Sequence, residues 1–310
     1  MRDSLRYIAA ALALGGIGYA GSEAMFWSFP PQGITPLDWL ATIVAYALAG
    51  ACALSAVIWA GLAGWRAVFL GGAVLGVVVE GVIVSTMYDA FPFQLVWTPL
   101  AWHAAITGLA VLGVQQRMLG ASVGWQVLAM LALGLGAGFF ASYWPMERAE
   151  LPPPGQIFLY QAASGAAAVA GFWTLGRIGR LPRPPSLVLA VVPVLAVGLW
   201  IIQGIADPRP QRLALPVMLG LTLWAMRRLG GGAAPAFVAA PLARQALFLV
   251  APLTLAGIAA FAVRGTAGFA ANIIVALLSA AVGLGLWLWL LWRALRRPAA
   301  APGPVSPPAP

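Results

Sequence analysis

AVFLGGAVLGVVVEGVIVSTMY, residues 67 to 88, is an apolar run broken by one carboxylate, Glu80. A helix crossing about 30 Å of hydrocarbon needs about 20 apolar residues, so this run is long enough to span a bilayer. Nine further runs of similar character surround it. Together the candidates lie at about 5–27, 39–64, 67–88, 99–116, 124–144, 156–176, 186–206, 212–226, 245–263 and 270–292. Proline, glycine or charge punctuates the gaps, as in SFPPQGITPLD, ERAELPPPGQ and GRLPRPPS. Nothing alternates at period two, and in lipid only helices and closed barrels satisfy the backbone. The expected fold is therefore an all-α, polytopic membrane helix bundle of about ten spans, with nine or eleven if the short 212–226 run and the glycine-rich stretch after it read differently.

Composition agrees. Of 310 residues, 62% are hydrophobic and 8% charged, with a mean hydropathy of +0.92, whereas soluble domains carry about 25% charged residues. A soluble chain of this length has no interior large enough to hide that much apolar surface. Residues 1–297 are expected to form one membrane domain. Its first four spans, 1–116, carry the polar site and 117–297 form a largely apolar scaffold, with a disordered Pro/Ala-rich tail at 298–310. No connection exceeds about 20 residues, which leaves no room for a soluble nucleotide-binding domain.

The net charge of +9 comes from seventeen basic residues, all Arg, a pattern of GC-rich bacterial coding. With a cytoplasmic N-terminus, thirteen arginines fall inside and four outside, at Arg148, Arg209, Arg212 and Arg264. The positive-inside rule then sets both termini in the cytoplasm of a bacterial inner (cytoplasmic) membrane. Topology thus explains the basic charge without nucleic acid. The N-terminal 25 residues have the basic start and apolar run of a secretory signal, but the spans that follow favour an uncleaved first helix. A lone cysteine, Cys52, forms no intrachain disulfide.

Gly16-Ile-Gly18-Tyr-Ala-Gly21 fits G-x-G-x-x-G but lies inside a span, where it reads as a packing surface rather than a dinucleotide fingerprint. Gly72, Gly76 and Glu80 repeat at four-residue spacing, so the face that packs closely on a neighbour also bears the acid. An ionised carboxylate at membrane depth costs at least about 2.5 kcal/mol unless paired or hydrated. Burial disfavours its charged form, which makes Glu80 a candidate proton carrier.

The sole histidine is the expected partner. Reading Thr98-Pro99 as N-cap and first helical residue puts His103 about 7 Å below the end of the fourth span, while Glu80 lies about 12 Å below Tyr88. An antiparallel hairpin brings such depths together, and His supplies a group that titrates near neutrality. Asp89, Tyr88, Gln94, Trp97, Thr98 and Trp102 line the hairpin mouth, and Glu23 ends the first span at the same side. With Tyr143, Tyr160, Gln161, Gln203 and Asn272 at that end too, the pattern suggests a polar vestibule open to the outside. Glu80, His103 and Asp89 are the candidate proton-handling or catalytic groups. Glu23, Tyr88, Gln94, Trp97, Thr98 and Trp102 are the candidate substrate contacts.

No metal-ligand spacing supports a metal at Glu23, Glu80, Asp89 and His103, one histidine excludes bis-histidine haem, and no cofactor is expected. Three functions fit, in order. The first is a secondary transporter or permease of a small molecule, the second an intramembrane enzyme acting on a lipid or lipid-linked envelope substrate from the outer leaflet. The third is an assembly or scaffold subunit of a membrane complex. The expected partners are the lipid bilayer, the unidentified small molecule or lipid substrate, and a homo-oligomer or partner membrane subunit.

Overall fold

The computed structural model of the chain describes residues 1–148, 150–264 and 270–297; the expected tail at 298–310 and the side chain of Arg264 lie outside the described residues. Among the described residues ten long helices follow one another: α1 Arg2–Trp27, α2 Pro36–Ala60, α3 Gly64–Ile83, α4 Phe93–Met118, α5 Val123–Glu147, α6 Pro154–Ile178, α7 Ser186–Ala206, α8 Ala214–Leu229, α9 Leu242–Val263 and α10 Ala271–Arg296. Eight of these, all but α6 and α8, are long and apolar enough to cross a membrane. The remaining two cover the sixth and eighth apolar runs of the sequence but do not meet that condition. Helix α6 has 25 residues but a more polar face, with Gln161 and Ser164 buried, and α8 has only 16 residues. Among the described residues the sole β pairing is an isolated bridge, Arg180 to Ala236.

Local chemistry sets the helix ends. Thr35 and Asp38 form a reciprocal capping box at the start of α2, with Pro36 at the first helical position. The same helix stops at Gly61, whose left-handed φ of 64° costs a glycine little. At the end of α1, the Gln161 side chain on α6 donates to the carbonyls of Ala24 at 2.6 Å and Ser28 at 2.8 Å. The Ala24 carbonyl also accepts from the Ser28 N–H at 2.9 Å, so the amide adds a second bond there and supplies a donor to Ser28 beyond the helix end.

Helix α1 runs through the middle, packed on α2, α4 and α6. Helix α3 sits among α2, α4 and α8; α10 closes against α4, and α5 packs on α9, which also meets α6. The most hydrophobic stretch of α1 is 72% buried by its neighbours, against 6% for α7. The glycines explain the tightest crossing. A Cβ on Gly76 would sit 2.6 Å from Pro99 Cα, and one on Gly72 would sit 2.8 Å from Ala104 Cα, so only bare backbone lets α3 approach α4 this closely.

One expected boundary is wrong. The fourth span begins at Phe93, directly after Pro92, and not at Pro99. Thr98 is accordingly no N-cap: its hydroxyl donates to the Gln94 carbonyl at 3.0 Å within the helix. A proline inside an α-helix removes one hydrogen bond and clashes with the preceding turn. Here α4 winds as a π-helix over Trp97–Gly113, and that wider winding encloses Pro99 without ending the helix. The third span is also shorter than expected, its helix stopping at Ile83 and leaving Tyr88 in a separate turn.

Candidate functional site

Among the described residues three stretches wind as π-helix: Tyr19–Ala24 in α1, Val79–Ile83 in α3 and Trp97–Gly113 in α4. Such windings recur at functional sites because the extra residue in the turn re-aims side chains. All three contribute to one polar chain.

Glu80 Oε1 lies 2.8 Å from His103 Nε2, joining α3 to α4. The other carboxylate oxygen accepts from the Thr86 hydroxyl. His103 Nδ1 lies 2.9 Å from Ser22 Oγ on α1, and Ser22 Oγ lies 2.8 Å from Thr107 Oγ1, one turn beyond the histidine. His103 is 2% exposed and Glu80 13%, so the carboxylate end of the chain is the less enclosed.

This order of groups can take up one proton from outside the chain without stranding a polar atom. With Glu80 ionised, His103 Nε2–H donates to it, while Nδ1 accepts from Ser22 and Ser22 accepts from Thr107. With the proton on Glu80, its O–H donates to Nε2, Nδ1–H donates to Ser22, and the hydroxyls rotate to suit. Every partner is retained in both arrangements.

Glu23 lies beside this chain but is not joined to it directly. Its oxygens accept from Tyr46 OH at 2.8 Å and Trp27 Nε1 at 2.9 Å, and the Tyr46 ring centroid is 6.1 Å from that of His103. Trp102 is buried and donates from Nε1 to the Ser22 carbonyl at 3.0 Å, fixing the residue that holds the imidazole. Trp97 packs in the same aromatic cluster, 5.6 Å from Trp102 and 6.5 Å from Phe140.

The remaining sequence candidates sit elsewhere. Asp89 is exposed and pairs with Arg209 Nη1 at 2.9 Å in a surface network that includes Asp207 and Arg212. There the Arg209 side chain, hydrogen-bonded to Asp207, holds that carboxyl below the usual carboxylate range. Tyr88 is buried, donates to the Gly81 carbonyl at 2.8 Å and accepts from Trp200 Nε1 at 3.2 Å, tying the turn to α3 and α7. Gln94 Oε1 is buried without a hydrogen-bond partner. Among the described residues no three His, Cys, Asp or Glu side chains converge as metal ligands would.

Ser22, Thr107, Thr86 and Tyr46 complete the site and were not singled out from sequence. Thr107 follows His103 by four residues and so shares its helix face, a signal available beforehand. Ser22 and Tyr46 come from distant segments that no local spacing links to His103.

A second buried polar group lies toward the far end of α4. Arg244 donates to the carbonyls of Met118 at 3.0 Å and Ala121 at 2.8 Å, and to Gln126 Oε1 at 2.7 Å. Gln126 in turn reaches Gln115 Oε1 at 3.2 Å. This cluster ties the end of α4 to the starts of α5 and α9.

Compared with protein families, curated proteins and solved structures, the chain matches none. Fold and site together define a class, a multi-pass helical membrane protein with a buried carboxylate–imidazole–hydroxyl chain at the junction of three spans.

Proposed function

We propose that this chain is a proton-coupled secondary transporter of a small molecule, with the Glu80–His103 pair as its protonatable gate. The reading includes ten spans, α6 and α8 among them, and both termini on the cytoplasmic side of a bacterial inner membrane, as the distribution of arginine favours. One observation carries it. A continuous hydrogen-bonded chain from Thr86 through Glu80, His103 and Ser22 to Thr107 crosses three helices, each locally wound as π-helix. Ionisable groups inside a membrane domain mark ion and substrate pathways by default. A carboxylate whose protonation rearranges bonds on three helices is a physical means of coupling proton occupancy to helix position.

The test uses proteoliposomes loaded with a pH-sensitive dye and challenged with a panel of amino acids, sugars and short organic acids. Wild type should move protons with at least one of these, and Glu80→Gln should not. Equal proton-coupled flux in both proteins would remove Glu80 from the mechanism.

A second reading, an intramembrane enzyme acting on a lipid or lipid-linked substrate, is favoured by one feature. Ser22, His103 and Glu80 are in the hydroxyl–imidazole–carboxylate order that activates a serine nucleophile. Ser22 is only 4% exposed, which weighs against a substrate reaching it and keeps transport first. Covalent labelling of Ser22 by a fluorophosphonate, together with an unprocessed lipid accumulating in a deletion strain, would reverse that order.

A further inference from the structure

On the side of α3 away from the chain of polar groups, Val74, Val78 and Val82 wall a cavity of about 590 Å³ completed by α2, α7 and α8. These valines are offset by two positions from Gly72, Gly76 and Glu80, which turns them to a different face of the helix. Ser186 and Trp200 both line the cavity, so it follows α7 for about 21 Å at 1.5 Å per residue. One leaflet contributes about 15 Å of hydrocarbon, so the slot is long enough for an acyl chain anchored in a single leaflet. The lining is almost wholly apolar, and the Ser55 hydroxyl within it already bonds to Tyr7 at 2.7 Å.

At the end nearest Ala60 the slot meets a smaller cavity of about 160 Å³, and Arg183 lines both. Arg227 lines the smaller one, with its guanidinium 5.6 Å from the centroid of the Trp59 ring. No acid lines either cavity. Among the described residues neither arginine has a carboxylate partner. Two cations without an ion-pair partner among the described residues therefore stand at the mouth of a hydrocarbon slot. An amphiphile with an anionic head satisfies both halves, and basic pockets between spans bind such headgroups.

We propose that this groove binds an anionic phospholipid, with an acyl chain along α7 and the phosphate between Arg183 and Arg227. The site is independent of the polar chain at Glu80. Purified full-length protein in detergent is mixed with phosphatidylglycerol or with phosphatidylcholine of the same chain length, and retained lipid is counted by native mass spectrometry. Wild type should retain phosphatidylglycerol in preference. The exposed pair Arg183→Ala and Arg227→Ala should lower that retention at least about tenfold. Ala196→Phe, which fills the slot from α7, should lower retention of both lipids. Arg293→Ala with Arg296→Ala removes equal charge outside the groove and should change nothing. Equal retention of the two lipids by wild type, unchanged retention by the Arg183/Arg227 variant or by Ala196→Phe, or displacement by inorganic phosphate would overturn the proposal.

Discussion

Two buried polar groups share helix α4, and they are built differently. Near His103 the contacts join side chains of three helices, include an acid and an imidazole, and coincide with π winding. Near Gln115 the contacts are amides and one arginine clamped to carbonyls at a helix end, which belongs to a cation that caps exposed acceptors. The first arrangement has two protonation states with every bond satisfied; the second has one. Burial of polar groups in a membrane domain thus indicates function only where a proton has somewhere else to go.

The sharpest challenge to that contrast is Glu80→Ala. It leaves His103 and Thr86 without their acceptor, so it should cost about 3 kcal/mol of stability. Proton coupling should vanish with it, and detergent unfolding curves and dye-loaded proteoliposomes measure the two losses. Arg244→Ala comes next, at about 2 kcal/mol, because several charge-assisted bonds to carbonyls disappear. It should leave proton coupling untouched; a loss of coupling at wild-type stability would erase the distinction between the two groups.

Ser22→Ala should cost only about 1 kcal/mol, since one neutral hydroxyl is removed. It should nonetheless move the Nδ1 ¹⁵N resonance of His103, which loses its hydroxyl partner, and an unchanged Nδ1 shift would detach Ser22 from the chain. The smallest effect belongs to the surface network. Asp207 is held below its ordinary range by Arg209, so its contribution is present above about pH 4 and fades as pH falls through its folded value. Asp207→Asn should therefore lower the melting temperature slightly at neutral pH and converge with wild type as pH falls through that folded value, which paired thermal melts across the acid range would read.

Much of the helix order was legible because length and hydropathy are local quantities, and the fragment around Glu80 carried its own packing face in Gly72 and Gly76. Glu80 and His103 lie 2.8 Å apart, within the reach expected of the hairpin, although the depths behind that expectation were counted from helix ends at Pro99 and Tyr88 that the structure moves. Thr98-Pro99 misled because the sequence signal for a helix start presumes α winding, whereas α4 encloses that proline in π geometry. Ser22 was invisible for a different reason, since its contact with His103 spans 81 positions and depends on how α1 sits against α4. Asp89 belongs with Arg209, 120 positions away, and charge alone could not separate it from the hairpin residues beside it.

Helix α7 touches the rest of the protein with little of its surface, and Pro193 interrupts its hydrogen bonding midway. Its seating is therefore governed as much by acyl tails as by protein side chains. When hydrocarbon thickness changes, a span so loosely held tilts or bends first. That tilt widens or narrows the gap to α2 and α3, so the lipid composition of the host membrane becomes a control on this flank of the molecule.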